Sequence, residues 1–243
     1  SYTDAIIYEM HVRDFSVHKN SGIKHVGKFL GVVEEGTRTS RGTLTGLDYL
    51  VDLGVTHIQL LPTYDFGSVD ELNQFETYNW GYDPVQYNVP EGSYSTDVHN
   101  PYSRIIEMKQ MIAKLHEKGF RVIMDVVYNH MFDRQTSSFE NIVPNYYFKL
   151  GDNGEISNGS FCGNDVDSLR PMCRQFIVDS CKMWVKEYGF DGFRFDLMGI
   201  LDTETMNQIA DECQAIDASV MVYGEGWNMP SIMPEEAKAM MYN

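Results

Sequence analysis

The chain has 243 residues, of which 43% are hydrophobic and 22% are charged, and this composition is ordinary for a globular protein. Its formal net charge of −16 opposes binding to phosphates, so we expect neither nucleic acid nor an anionic membrane surface as a partner. No apolar run reaches the roughly 18 residues that a membrane-spanning helix needs. We therefore expect a soluble protein, extracellular or cytoplasmic, and a neutral ligand is compatible with its charge.

Short apolar segments alternate with amphipathic helical patterns, which predicts a parallel sheet with crossover helices. The predicted helices begin near Thr43, at Ser103, at Pro171 and after Asp202. Two long loops, at about 63–102 and 131–169, are of a length that is usually functional. The 4 cysteines lack metal-binding or redox spacing, and we interpret them as small core residues. The predicted strands are residues 6–12, 55–61, 120–128, 190–197 and 220–225.

The uniform order of these units, with no glycine-rich phosphate loop after the first strand, favours a (β/α)8 TIM barrel over a dinucleotide-binding fold. Few residues follow the fifth predicted strand, whereas each further strand–helix unit needs roughly 30. We therefore expect residues 1–243 to form one partial catalytic barrel domain, with the first five units and without strands six to eight. An open sheet exposes its edge strands, so self-association of this polypeptide is expected.

Charged side chains interrupt the apolar pattern at the ends of three consecutive predicted strands. Asp125 and His130 belong to the third strand and its end. Arg194 and Asp196 belong to the fourth strand, and Glu225 ends the fifth. Barrel enzymes carry their catalytic groups at the C-terminal ends of strands, so we expect these side chains to meet on one rim.

Strand periodicity indicates how the two terminal acids differ. Arg194 and Asp196 share a face of the strand, so the arginine should orient Asp196, keep it ionised and lower its pKa. Glu225 lies between two glycines, where a ligand approaches closely and a desolvated acid keeps its proton near neutral pH. One ionised and one protonated carboxyl group is the arrangement of a glycoside-cleaving site. Asp125 is interpreted as a buried ion-pair partner of Arg194.

Three segments resemble the first, second and third conserved regions of the α-amylase superfamily. The resemblance implies that Asp196 is the nucleophile and Glu225 the general acid/base, and that His130 and Arg194 bind the sugar at the cleavage site. We expect that no cofactor is required; calcium is the alternative, because Asn129 matches a position that binds structural calcium in some amylases. The three segments are residues 125–130, residues 192–196 and Glu225 with its neighbours.

Residues 78–84, on the loop after the second strand, resemble the signature heptapeptide of type I pullulanases, which cut α-1,6 links in pullulan and starch. Residues 8–16 and 191–199 are also pullulanase-like. The resemblance implies that Tyr82 stacks under the sugar at the scissile bond, because aromatic rings suit the apolar faces of sugars.

Four further residues near these segments keep alternatives open. Tyr78 and Trp80 either pack the loop or contact sugar, and packing is favoured. Asp83 hydrogen-bonds either sugar hydroxyls or Arg194. Trp227 either lines the acceptor side of the site or packs against its rim.

The resemblance implies a retaining, endo-acting glycoside hydrolase that cleaves α-1,6 links in pullulan, starch or glycogen, with an α-glucan as its partner. Members of the family also carry a fourth conserved region with a third catalytic aspartate, and no segment here matches it. We therefore expect residues 1–243 to be inactive alone. The alternatives are an α-1,4-acting amylase, a branching enzyme, or a non-catalytic glucan-binding fragment.

Overall fold

The computed structural model describes residues 2–242. The strands are β1 (Ile7–Met10), β2 (His57–Leu60), β3 (Tyr64–Phe66), β4 (Pro84–Pro90), β5 (Arg121–Val126), β6 (Gly192–Phe195) and β7 (Met221–Gly224). Five of them form a parallel sheet in the order β1-β2-β5-β6-β7, and β3 pairs with β4 in a separate antiparallel pair. The order in the sheet follows the order along the chain without the reversal of a doubly wound fold, so the predicted parallel α/β architecture is confirmed.

The parallel sheet is strongly curved. The hydroxyl of Tyr223 on β7 donates to Gln59 Oε1 on β2 at 2.5 Å, although β5 and β6 lie between these strands. Neighbouring strands are about 4.8 Å apart, so three steps across a flat sheet would separate the two residues by roughly 14 Å. Gln59 also donates to Glu9 Oε1 on β1 at 2.7 Å. Side chains on the concave face therefore meet across the curve, as they do inside a barrel.

Helices follow four of the parallel strands, close to the positions that the sequence predicts. Asp202 caps the last helix by accepting a hydrogen bond from the Thr205 amide at 2.9 Å. The long helix that starts at Pro101 begins two residues before the prediction, because Asn100 caps it and proline suits the first turn. The helices are α1 (Asp14–Val17), α2 (Phe29–Val32), α3 (Gly46–Leu53), α4 (Pro101–Glu117), α5 (Ser138–Ile142), α6 (Pro171–Met183), which continues as a π-helical turn (Trp184–Tyr188), and α7 (Thr203–Gln214).

The two long predicted loops contain more structure than the sequence indicates. Residues 63–102 include the antiparallel pair of β3 and β4, and prolines at both ends of β4 concealed this strand from prediction. Residues 131–169 include α5 and the isolated bridges Phe148–Val166 and Leu150–Ile156. Within residues 2–242, no helix is both long and apolar enough to cross a membrane. The assignment of residues 1–243 to one domain stays a prediction.

The core lies between the convex face of the sheet and the helices. Phe193 and Phe195 on β6 are fully buried there, whereas the intervening Arg194 points to the concave face. Cysteines 173, 181 and 213 are buried in this core, but Cys162 is exposed, so the interpretation as a core residue is wrong for Cys162. Strand alternation thus directs the charged residue of β6 away from the helices.

Candidate active site

The guanidinium of Arg194 lies at the centre of the concave rim. Its Nη1 is 3.0 and 3.1 Å from the two carboxylate oxygens of Asp125, and 3.2 Å from Asp196 Oδ1. Its Nη2 contacts Glu225 Oε1. Asp125 is the register partner of Arg194 on β5, and Asp196 and Glu225 directly follow β6 and β7. One guanidinium therefore joins three carboxylates that come from three neighbouring strands.

Asn129 connects Asp196 to His130. Its amide nitrogen donates to Asp196 Oδ2 at 2.9 Å and to the Asp196 carbonyl at 2.8 Å, which determines the orientation of the amide. The Asn129 Oδ1 atom therefore faces His130 Nδ1, at 2.5 Å. Burial lowers the pKa of His130, which is only 2% exposed. His130, predicted to bind sugar, thus supports the site through protein contacts in this structure.

Tyr82, on the loop after β2, contacts both His130 and Asp125. Its carbonyl oxygen is 2.9 Å from His130 Nε2, and its hydroxyl donates to Asp125 Oδ2 at 2.7 Å. Burial and the neighbouring Asp125 raise the pKa of Tyr82, so its hydroxyl keeps its proton as a donor. Gly81 adopts a φ of 94°, and a Cβ there would lie 3.0 Å from Pro62 O, so glycine permits this turn. The closed ring of contacts consists of Arg194, Asp125, Tyr82, His130, Asn129 and Asp196.

The electrostatic surroundings of the carboxylates differ from the predicted ones. Burial raises the pKa of Asp196, and the hydrogen bond from Asn129 and the charge of Arg194 only partly oppose this, so the predicted lowering is wrong. Burial also raises the pKa of Asp125 to about 7, against the contacts with Arg194 and Tyr82. Glu225 is not an isolated acid, because it contacts Arg194 and accepts from the Leu197 amide at 3.2 Å.

Comparison with known proteins identifies the family. The family model of the alpha-amylase catalytic domain matches residues 19–158. The chain belongs to the alpha-amylase catalytic-domain family. Membership agrees with the barrel-type strand order and confirms the resemblance carried by the three conserved segments.

Individual members of the alpha-amylase family match nearly the whole chain. The pullulanase of Bacillus subtilis (strain 168) is 47% identical over 99% of this chain and 33% of its own length. The solved pullulanase of Paenibacillus barengoltzii, in complex with maltohexaose and α-cyclodextrin, is 54% identical with a TM-score of 0.97, covering 100% of this chain and 38% of that one. The maltotriose complex of the pullulanase from Anoxybacillus sp. LM18-11 is 55% identical with a TM-score of 0.97, covering 99% and 34%. The chain thus spans about a third of the length of these relatives.

Residues 78–84, which resemble the heptapeptide of type I pullulanases, are only partly packed. Asp83 accepts hydrogen bonds from Asn79 Nδ2 at 2.8 Å and from the Ser68 hydroxyl, so it does not take the predicted alternative of binding Arg194. The indole of Trp80 donates to the Tyr78 hydroxyl at 2.8 Å. Both rings are nevertheless more than half exposed, so packing of the loop accounts for only part of their surface.

Trp227 lies beyond the ring of contacts and is 53% exposed. Packing against the rim therefore covers less than half of its surface, and its place on the acceptor side stays a prediction. The side-chain oxygen of Asn129 faces His130 Nδ1 at 2.5 Å. The expectation that no cofactor is required and the calcium alternative both stay predictions.

Two features of the site were missed at the level of sequence. One is the contact of Arg194 with Glu225, because pairing between strands decides which residues of β6 and β7 are neighbours. The other is a group of three carboxylates in the first long loop that lie close enough to share an ion: Asp65, Glu71 and Glu91. Arg104 already contacts Glu71 at 2.6 Å, so an ion pair accounts for part of this group.

Proposed function

We propose that this protein is an endo-acting debranching glycoside hydrolase that cleaves α-1,6 links in pullulan, starch or glycogen with retention of configuration. The observation that carries the proposal is the single guanidinium that contacts both Asp196 and Glu225 at the ends of adjacent strands. The bridge brings both carboxyl groups within reach of one glycosidic bond, and the family resemblance supplies the retaining mechanism. A crystal structure with the two carboxyl groups about 5–5.5 Å apart would support retention, whereas a separation of about 6.5–9.5 Å would support inversion.

The proposed reaction consists of two displacements. Asp196 attacks the anomeric carbon, the glycosidic bond breaks, and Glu225 gives its proton to the departing oxygen. Water then attacks the covalent glycosyl–enzyme while Glu225 takes a proton from it, which releases Asp196 and returns the acid to its starting form. The contact between Glu225 and Arg194 must open before Glu225 can act as an acid, and its partial exposure leaves room for this movement.

The surroundings of the carboxylates support a sugar ligand. The ring of contacts holds the aromatic ring of Tyr82 beside Asp125, where it offers an apolar face to the sugar at the scissile bond. The exposed ring of Trp227, close to Glu225 in sequence, offers a second such face. The names of the relatives supply the expected linkage, because all three are pullulanases.

Product analysis with the full-length protein tests the proposal. Pullulan should be cut to short oligosaccharides while linear amylose keeps its length, and NMR should detect the α-anomer as the first product. Shortening of amylose would instead support the α-1,4-acting alternative, and transfer without net hydrolysis would support a branching enzyme. A β-anomer as the first product would contradict retention.

We further propose that residues 1–243 alone bind glucan without turning it over and associate with one another. Among residues 2–242, the strands β1 and β7 each pair with one neighbour. Ile7 in β1 and the preceding Ile6 are exposed. Unpaired edges of this kind favour pairing with another chain. The isolated polypeptide should sediment as a multimer and release no reducing sugar from pullulan. Turnover by the pure polypeptide would overturn this part of the proposal.

A further inference from the structure

Lys149 is a buried lysine that the proposed reaction does not use. It lies in the loop at 131–169 and is 2% exposed. Its backbone is held on both sides, because its amide donates to the Asp165 carbonyl at 2.9 Å and its carbonyl accepts from the Ser157 amide at 3.0 Å. Burying an ammonium is costly unless hydrogen bonds and opposite charges compensate for the lost water. The contacts of this ammonium therefore indicate why it is there.

The Lys149 ammonium joins two separate segments of the chain. It donates to the carbonyl of Ile200, in the turn that follows Asp196, and to Ser231 Oγ at 3.0 Å, in the segment that follows Glu225. One buried cation thus holds both segments that leave the two proposed catalytic carboxylates. We call these the 197–200 turn and the 225–231 segment.

The 197–200 turn is also packed directly against the 225–231 segment. The Gly199 amide donates to the Glu225 carbonyl at 3.3 Å, and a Cβ on Gly199 would lie 1.8 Å from the carbonyl oxygen of Trp227. A Cβ on Gly159 would lie 2.5 Å from the Ser231 amide, so the loop that carries Lys149 packs as closely against the 225–231 segment. Close-packed groups transmit displacements, so a shift of either segment reaches its carboxylate.

We propose that Lys149 is a positioning residue, which sets the separation of Asp196 and Glu225 by tying the 197–200 turn to the 225–231 segment. The proposal rests on the proposed function of these two carboxylates. Lys149 touches no reacting atom, and it acts through the backbone of the 197–200 turn and through Ser231. Its loss should therefore lower the rate of the chemical step more than it weakens glucan binding.

The decisive variant is Lys149→Met in the full-length protein, which keeps an unbranched side chain of similar volume but removes its charge and donors. We expect kcat on pullulan to fall about 100-fold, the cost of misplacing reacting groups by about 1 Å, with KM close to the wild-type value. Lys149→Arg keeps the charge and the donors and should restore part of kcat. An unchanged kcat in a folded Lys149→Met protein would refute the proposal.

A lysine elsewhere in the chain provides a control. The partly buried ammonium of Lys28 donates to the Ser93 carbonyl at 2.8 Å, in the first long loop and away from the 197–200 turn and the 225–231 segment. Lys28→Met also removes an ammonium that binds a backbone carbonyl, and kcat should stay close to wild type. An equal fall of kcat in both variants would show a general loss of stability and would reject a specific role for Lys149.

Two further measurements keep the proposal testable. Should Lys149→Met fail to fold, as judged by circular dichroism, Ser231→Ala removes one acceptor and should lower kcat about fivefold, the equivalent of one net hydrogen bond of about 1 kcal/mol. An unchanged kcat in Ser231→Ala would then count against the proposal. Absence of turnover by the wild type would refute the proposed function and not the role of Lys149. Crystal structures of the wild type and of Lys149→Met would then test that role, because the proposal requires the Asp196–Glu225 separation to change.

Discussion

Asp196 and Glu225 end neighbouring strands, yet the structure holds them differently. Asp196 follows β6, which has a partner on each side, and it receives hydrogen bonds from Asn129 and Arg194 while its amide donates to the Val126 carbonyl at 2.9 Å. Glu225 follows β7, and its amide likewise donates to the Phe195 carbonyl at 3.0 Å, while its carboxylate contacts Arg194 and the Leu197 amide. The Asp196 side chain is 14% exposed and that of Glu225 is 29% exposed.

This difference matches the two proposed roles. A nucleophile must stay at one position and one angle relative to the anomeric carbon, which the contacts of Asp196 provide. A general acid/base must exchange protons with water in every cycle, so it needs access to solvent and a contact that opens. The more exposed Glu225, with its separable contact to Arg194, meets this need.

The largest expected effect comes from removing the nucleophile. Asp196→Asn keeps the shape of the side chain but replaces one acceptor oxygen with a donor and cannot form the covalent intermediate, so kcat should fall by about 10⁴-fold or more. Glucan binding, measured by calorimetry, should survive. Glu225→Gln provides the comparison, because loss of an acid/base typically costs about 10²- to 10⁴-fold and should cost less with an aryl glycoside, whose leaving group needs no proton. Substantial turnover by Asp196→Asn would contradict the assignment.

A smaller effect is expected when the support of Asp196 is removed. The hydrogen bond from Asn129 lowers the pKa of Asp196 against the raising effect of burial. Asn129→Ala should therefore raise the pKa of Asp196. As the solution is acidified, Asp196 should then become protonated at a higher pH than in the wild type, and activity should be lost at that higher pH. A hydrogen bond to a charged group is worth about 1.5–3 kcal/mol, which predicts a fall in kcat of about 10- to 100-fold.

The pH dependence of kcat/KM measures this change. The acidic limb of the profile should move to higher pH in Asn129→Ala. Asn141→Ala is the control, because Asn141 is an exposed asparagine that donates to the Thr136 carbonyl at 3.3 Å, outside the ring of contacts. A limb that stays in place in Asn129→Ala would mean that this hydrogen bond does not govern the ionisation of Asp196.

The smallest expected effect concerns the exposed edge of the site. Trp227→Ala should raise KM about 2- to 10-fold, because aromatic stacking is worth about 0.5–1.5 kcal/mol, and should leave kcat nearly unchanged. Trp80→Ala is the matched control, since Trp80 is exposed to a similar degree but hydrogen-bonds to Tyr78 on the loop after β2. Equal changes of KM in both variants would contradict the assignment of Trp227, rather than Trp80, to the acceptor side of the site.

Much of the fold follows from local patterns in the sequence. Buried parallel strands appear as continuous apolar runs, so β5 and β6 were predicted within a few residues of their observed bounds. The sequence does not indicate the strand β4, because proline argues against a strand unless the strand lies at the edge of a sheet, and the local sequence does not show which strands are edge strands. The apolar periodicity of α3 includes Val51, yet Val51 is 48% exposed, since helical periodicity does not show how wide the buried stripe of the helix is.

The sequence predicts those contacts of the site that form between residues of a single strand. The alternation of β6 places Arg194 and Asp196 on the same face, and the structure brings them together. The contact of Arg194 with Glu225 depends on the pairing of β6 with β7, which the sequence does not encode locally. The direction of the Asp196 pKa shift depends on how much water the whole fold excludes, so the charge of its neighbour was not sufficient to predict it.

The sharing of one guanidinium has a consequence for inhibitors. Three carboxylates face the single guanidinium of Arg194, so these four groups together carry a net negative charge whenever at least two of the carboxylates are ionised. The anomeric carbon becomes positively charged as a glycosidic bond breaks, and fixed charges of opposite sign stabilise it at that moment. A sugar analogue with a protonated amine in place of the ring oxygen should therefore bind more tightly than its neutral counterpart, and a saline medium should weaken this preference only slightly because the charges are largely buried.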